Sequence, residues 1–335
     1  MNTTGFATIG TSKITQKFLS AAKDCKGFKL VAVYSRDIKK AEKFAREQGA
    51  EKYYDSLDAL AADKDVEAVY VASPNHMHYE HVMKLLKAGK HVLCEKAIAS
   101  NYVEAEEMFR TAKEQGVILL EAMRTVFHPG MSVVRENLPK LGAIRKAAFN
   151  YCQYSSRYDS FKEGQEHNIF RRECSAGALM DIGVYSVHSM LYLLGMPETI
   201  TGFSVMLRGD IDGAGNILAK YPDKITEVSY SKITDSSIPD EIQGENGTLL
   251  FGGDSNSPEN VRIIYRDGRE EILWQQETKN SMKYELEHLL KIICGDEEAQ
   301  PHTERSLNAM KLMDEMRRQC GIIFPADERA RVSNE

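Results

Sequence analysis

The sequence has no long hydrophobic run. Its apolar stretches are a few residues each, as at residues 68–72, so no membrane span is expected. A basic surplus is missing too: 43 Lys+Arg stand against 49 Asp+Glu, a net charge of −6, which argues against a nucleic-acid partner. The start, Met1-Asn2-Thr3-Thr4, lacks the charged head and apolar core of a secretion signal. The six cysteines (Cys25, Cys94, Cys152, Cys174, Cys294, Cys320) contain no CxxC pair and no metal-ligand spacing. They read as reduced thiols of a cytoplasmic protein, Cys94 as a small buried strand residue. No metal site and no zinc-dependent dehydrogenase is expected. There is no internal repeat and no low-complexity segment.

What is present is an ordinary globular composition: 335 residues, 42% apolar and 27% charged, enough for two domains with cores of their own. The first half alternates short apolar runs (residues 6–10, 30–34, 68–72, 91–94 and 117–120) with helical spacing at 14–22, 38–48, 78–86 and 103–113. Strands this apolar, separated by helices, predict a parallel sheet covered on both faces. The expected fold class is α/β: a doubly wound dinucleotide-binding (Rossmann) domain over residues 1–123. An α+β domain with a large, mostly antiparallel sheet follows over 124–335, its last helix returning to the first domain.

A phosphate-binding turn belongs after the first strand, where the chain reads Ile9-Gly10-Thr11-Ser12-Lys13-Ile14-Thr15. Against G-x-G-x-x-G/A only the first glycine is present, with Ser12 and Thr15 at the other two positions. Gly10, Thr11, Ser12 and Ile14 are nonetheless placed at the pyrophosphate, since amides at a helix N-terminus suit an anion. The second strand ends Val33-Tyr34-Ser35-Arg36-Asp37 without the acid usual for a ribose 2′-hydroxyl. Ser35 and Arg36 can instead bind a 2′-phosphate, so NADP is the expected cofactor and NAD the alternative, with Asp37 a helix cap. Two more loops follow strand ends, where such sheets bind ligands. In Ala72-Ser73-Pro74-Asn75-His76-Met77-His78, Asn75 is expected to cap the next helix. In Leu93-Cys94-Glu95-Lys96-Ala97, Lys96 stands at the mouth of a buried strand, able to meet a substrate oxygen.

In the second half, residues 177–195 read as a helix closed by Gly195 and Pro197. Met180, Val184, Val187, Leu191 and Leu194 form its apolar stripe. Asp181, Tyr185, His188 and Tyr192 lie on an adjoining face. Arg124, where the chain leaves the first domain, is a candidate cleft residue, with a surface salt bridge as the alternative. Residues 155–174 read as a polar loop carrying His167, Arg171 and Arg172, able to fold over a site. Strand-like runs then fill residues 200–274, with hairpin signals at Asn246-Gly247 and Asp267-Gly268. Helices at 282–293 and 306–319 close the chain, with Leu286, Leu289, Leu290 and Ile293 in the core.

Four motifs, in this order, carry a resemblance: Ser73-Pro74-Asn75 with His78; Cys94-Glu95-Lys96; Gly177-Ala-Leu-Met-Asp181-Ile-Gly183-Val-Tyr185; and Gly244-Glu-Asn-Gly247-Thr-Leu-Leu. The chain resembles the Gfo/Idh/MocA oxidoreductases, and Tyr185 places it nearest the dihydrodiol and xylose dehydrogenase branch. The resemblance implies that Lys96 and Tyr185 flank the nicotinamide and that Asp181 meets the substrate. It implies that Ser73, Asn75 and Glu95 touch the cofactor, and His78 is counted with them. It also implies that the sheet of the second domain pairs with another subunit, as a homodimer or homotetramer. The family usually reads Glu-Lys-Pro with a cis bond before the proline. Here Ala97 stands third, so this loop is either trans with Lys96 displaced, or cis at a non-proline residue.

The chemistry expected is hydride transfer at a hydroxyl or carbonyl carbon of a sugar, polyol or trans-diol. A free tyrosine titrates near pH 10, and a neighbouring ammonium lowers that value. Tyr185 is therefore read as acid/base, Lys96 as its tuning partner, Asp181 as the group orienting substrate hydroxyls, and His188 and Arg124 as substrate-side residues. The alternative is a non-catalytic NAD(P)-holding sensor of the same fold.

Overall fold

The computed structural model describes residues 3–252, 258–275 and 280–332. Met1 and Asn2, part of the start read above as lacking a secretion signal, lie outside them. The chain divides into two units: Met1–Ala122 with Asn280–Leu307, and Met123–Lys279 with Asn308–Glu335.

In the first unit, elements alternate along the chain: β1 (Thr4–Ile9), α1 (Lys13–Ala22), β2 (Phe28–Tyr34), α2 (Ile38–Gln48), β3 (Lys52–Tyr54), α3 (Leu57–Ala62), β4 (Ala68–Val71), α4 (His78–Lys87), β5 (His91–Glu95), α5 (Tyr102–Gln115) and β6 (Leu119–Ala122). The six strands are parallel in the order β3-β2-β1-β4-β5-β6. Phe6, Ala7, Val69, Tyr70, Val92 and Leu93 lie fully buried along the central strands, because helices cover both faces. Asp37 caps α2 as expected, its carboxylate accepting from the Lys39 and Lys40 amides at 3.0 and 3.3 Å. Asn75 does not cap α4. It opens a 3₁₀ turn, Asn75–Met77, that precedes the helix, and Met77 takes the N-cap position. Proline 74 sets up this extra turn, so the cap falls two residues later than the Asn signal suggests.

The second unit begins with α6 (Arg124–Phe127) and α7 (Pro129–Asn137), then β7 (Ile144–Cys152) and α8 (Tyr158–Lys162). Residues 155–174 are more ordered than a polar loop. Beyond α8 they form two 3₁₀ turns, and Tyr158, Phe161 and Phe170 pack ring against ring, with the Arg208 guanidinium 3.9 Å from the Phe161 ring centre. A π-helical turn, Leu179–Gly183, leads into α9 (Val184–Leu194), which Gly195 ends with φ 75°. The stretch Arg172–Leu194 is long and apolar enough to cross a membrane by length and composition, with 83% of its most apolar window buried inside the fold. It is the core helix on which the large sheet packs.

That sheet follows: β8 (Thr199–Leu207), β9 (Ile211–Lys220), β10 (Ile225–Ser231), β11 (Asp240–Gly244), β12 (Gly247–Phe251), β13 (Val261–Tyr265) and β14 (Glu270–Trp274). With β7 they form eight strands in the order β14-β13-β12-β11-β7-β10-β9-β8, antiparallel except for β7 with β10. The strands alternate between a buried and an open face, as along β9, where Ile217 is buried and Leu218 exposed. The chain closes with α10 (Met282–Cys294), α11 (Gln300–Cys320) and α12 (Pro325–Val332). In the first unit α10 packs on α1, β5 and β6, burying Leu286, Leu289, Leu290 and Ile292; Ile293, expected in the core, is only half-buried.

Candidate functional site

The phosphate turn keeps the geometry that its one glycine requires. Gly10 has φ 105°, and a Cβ there would come within 2.8 Å of the Ala72 carbonyl oxygen. Ser12 occupies the N-cap of α1, its side chain makes no cap hydrogen bond, and the first turn of α1 carries no acid. The helix amides and the positive end of the helix dipole are thus left to an anion. The Thr15 hydroxyl is fully buried and without a partner among the described residues. These features fit the pyrophosphate of a dinucleotide despite the missing second and third glycines. At the end of β2, the Ser35 hydroxyl oxygen accepts from the Asp37 amide at 3.3 Å, which leaves its O–H to donate, and Arg36 is exposed.

The two loops beyond β4 and β5 are pinned to each other by His78. Its Nδ1 lies 2.9 Å from the Ala97 carbonyl oxygen and its Nε2 2.8 Å from that of Ser73. Complete burial outweighs these two acceptors and pushes its pKa down to about 4, so the ring is neutral near pH 7 and its single N–H donates to one of the two carbonyls. The Ser73 hydroxyl meets His81 Nδ1 at 3.0 Å. Buried Glu95 accepts from the Tyr70 hydroxyl, whose ring stacks on Phe18 at 3.8 Å. The Lys96–Ala97 peptide is cis. The following residues are held from behind, where buried Glu121 accepts from the Ile98 amide at 3.1 Å and from the Ser306 hydroxyl. Lys96 is half-buried between fully or nearly buried neighbours.

In the second unit, the segment bearing Asp181 and Tyr185 is fixed from its N-terminal end. Asp212, wholly buried, accepts from the Leu179 amide at 2.7 Å. Burial raises its pKa to about 6, and the backbone bonds oppose that rise. Gly177 has φ 104°, and a Cβ on it would lie 2.0 Å from an Asp212 carboxylate oxygen. Gly183 packs against the ring of Tyr230. The motif glycines are therefore the places where this turn meets a buried acid and a buried ring. π turns recur at functional sites because they re-aim side chains within a helix.

Asp181 is paired with Lys232, from the end of β10, in a close ion pair. The lysine side chain is only 9% exposed and the aspartate side chain 31%. Tyr185 is nearly buried. Its ring packs on Tyr151 at 5.6 Å between centres, and the Arg124 guanidinium stands 5.7 Å from the ring centre. Arg124 thus stands beside the Tyr185 ring. His188 is fully buried, one turn further along α9, and the Arg135 guanidinium lies over the Tyr192 ring at 4.9 Å.

Comparison with known proteins agrees with this architecture. Residues 4–123 match the family model described as an oxidoreductase family with an NAD-binding Rossmann fold, and residues 139–250 match the GFO/IDH/MocA C-terminal domain. The chain is 43% identical to scyllo-inositol 2-dehydrogenase (NADP(+)) IolU of Bacillus subtilis, over 96% of this chain and 99% of that protein. The chain belongs to the Gfo/Idh/MocA family. Its members also include the trans-1,2-dihydrobenzene-1,2-diol dehydrogenase of Xenopus tropicalis, 27% identical over 88% of this chain and 91% of that one. Among solved structures, the 3-ketoreductase KijD10 of Actinomadura kijaniata, in complex with NADP and TDP-benzene, superposes with a TM-score of 0.84. It covers 95% of this chain and 98% of its own, at 24% identity, a likeness of fold. The protein is accordingly an NAD(P)-dependent oxidoreductase of the Gfo/Idh/MocA type.

Three residues that hold the Leu179–Tyr185 segment escaped the reading of the sequence: Lys232, Asp212 and Tyr151. Each belongs to a strand of the large sheet or directly follows one. The local signal at Lys232, a lysine after the apolar run of β10, is that of any strand leaving a core.

Proposed function

We propose that the protein is an NADP-dependent dehydrogenase/reductase acting on a hydroxyl- or carbonyl-bearing carbon of a sugar, polyol or trans-diol. Tyr185 and Lys96 form its acid/base pair, and Asp181 binds neighbouring substrate hydroxyls. The observation that carries this reading is the Asp181–Tyr185 segment, with the carboxylate held by Lys232 and the phenol braced by Tyr151 and Arg124.

The nicotinamide, when bound, accepts or supplies the hydride. The chain's residues do the rest. Gly10, Thr11, Ser12 and Ile14 hold the pyrophosphate through the start of α1, and Ser35 and Arg36 take the 2′-phosphate. Ser73, Asn75, His78 and Glu95 line the cofactor, and His78 and Glu95 also hold their loops in place. In oxidation the substrate O–H gives its proton to Tyr185 Oη as hydride leaves the carbon; in reduction the proton returns. A cation at Lys96 favours the phenolate and the developing alkoxide. Asp181, an acceptor only when ionised, orders adjacent hydroxyls, which favours vicinal diols over simple alcohols. The name of the 43%-identical relative supports a cyclic polyol and NADP, so scyllo-inositol is the first compound to try. The open face of the large sheet supports assembly into a homodimer or homotetramer.

The test is a screen of the purified protein with NADP⁺ against scyllo-inositol, sugars and trans-diols, following NADPH formation. Tyr185→Phe should lower kcat by about 10²–10⁴-fold and leave the NADPH Kd unchanged. Undiminished turnover in that variant would remove Tyr185 from the mechanism. Tight NADPH binding with no turnover on any compound would point back to a sensor.

A further inference from the structure

In the first unit, α10 and α11 form a hairpin around Gly295, which ends α10 with φ 81°. Three side chains converge at its mouth. His288 comes from α10, Glu297 from the connecting turn and His302 from the first turn of α11. His288 Nδ1 lies 2.6 and 2.8 Å from the two Glu297 carboxylate oxygens, and His302 Nε2 lies 2.7 Å from one of them. One nitrogen of each ring and the carboxylate all fall within 4.8 Å of one another. All three side chains are partly buried.

We propose that His288, Glu297 and His302 form a binding site for a zinc-type divalent cation that clips α10 to α11. Two imidazole nitrogens and one carboxylate are a donor set that zinc takes in tetrahedral sites, with water in the fourth position. Ligands about 2.0–2.1 Å from such an ion stand about 3.3 Å apart, so each histidine–carboxylate pair opens by about half an ångström while the two ring nitrogens, within 4.8 Å of each other, settle to the same spacing.

One neighbour opposes the ion. The Arg305 guanidinium donates to His302 Nδ1 at 3.0 Å. Metal on Nε2 puts the ring proton on Nδ1, facing that donor, so Arg305 must turn away as the ion enters. Arg305 therefore sets the affinity of the site. No spacing motif marks these residues, since His288 and His302 lie on different helices and Glu297 between them. The site is independent of the oxidoreductase reading: it lies on another part of the chain and its test measures no turnover.

The experiment is titration of the metal-free full-length protein with Zn²⁺ by calorimetry and with Co²⁺ by visible absorption. The expected result is one equivalent per chain, tetrahedral cobalt bands and a higher Tm with zinc. Glu297→Gln and His302→Gln should each weaken binding at least about tenfold, while Arg305→Gln, whose amide oxygen can accept the Nδ1 proton, should strengthen it. Absence of a zinc isotherm in the parent would overturn the proposal. So would affinity unchanged in both ligand variants, or a thiolate charge-transfer band that disappears in Cys294→Ser, which would assign the metal to the exposed Cys294 instead.

Discussion

On the reading proposed above, Asp181 receives substrate hydroxyls, and its ion pair with Lys232 helps to hold it in place. Lys232 supplies the opposing charge from a position almost closed to solvent. Removing one partner of such a pair leaves the other poorly solvated and mobile. Lys232→Met should therefore lower kcat/KM for the polyol about ten- to hundredfold, chiefly through KM, with the NADPH Kd unchanged and partial rescue by Lys232→Arg. An unaltered KM would show that Asp181 needs no such support. The pair was not legible in the sequence, because its members are 51 residues apart and meet only when β10 runs beside the π turn. The end of β2 is the opposite case, where the residues argued to read the cofactor are adjacent in the chain. Ser35→Asp with Arg36→Ile trades a phosphate-binding pair for an acid. It should shift the NADPH/NADH preference at least about tenfold toward NADH, measured as the ratio of Kd values.

Among elements, the parallel sheet of the first unit was readable because its strands are apolar on both faces and its helices are punctuated by caps such as Asp37. The π turn at Leu179–Gly183 was not readable, since the residues at helical spacing hide a local change of period. The loops after β4 and β5 show a further limit: they meet at His78, the first residue of α4, whose ring lies between a carbonyl from each. An ordinary histidine titrates near 6.5, and burial holds this one down to about 4. The unfolded chain therefore takes up a proton that the folded chain refuses. The stability contributed by the neutral ring is complete above about pH 6.5 and is lost as pH falls toward about 4, up to about 3 kcal/mol. Urea unfolding at about pH 7 and about pH 4.5 should show the parent losing about 2–3 kcal/mol more than His78→Gln over that interval. If the variant does not fold, an NMR titration of the parent gives the same answer: the ring should stay neutral at about pH 5. Equal losses in both proteins, or a ring protonated at that pH, would mean that the two carbonyls and not burial govern the site.

For the molecule as a whole, the large sheet leaves an accounting problem that one chain does not solve. Phe203 and Val205 lie two apart on β8, and Leu218 pairs across from Thr201 on the same side. Ile225 continues that side on β10, opposite Lys220. These side chains are 78%, 55%, 58% and 55% exposed, where inward residues of β9 and β10 such as Ile217, Ala219, Val228 and Tyr230 are buried. Four large apolar side chains this exposed on one sheet face mark a surface suited to a protein contact. The outward side of these strands mixes these apolar residues with Thr201, Asn216, Lys220 and Glu227, which fits a sheet covered once by its own helices and once, through a part-polar contact, by another copy. Sedimentation velocity of the wild-type protein should show a dimer or tetramer, because an isologous contact over such a face buries enough apolar area to hold two copies together. Phe203→Asp with Leu218→Asp should shift the distribution to monomer while NADPH binding is retained, since both substitutions lie on the sheet and neither touches the dinucleotide turn. A wild-type protein that sediments as a monomer at every concentration would leave the face to some other occupant, and the charged variant would then sediment as the parent does.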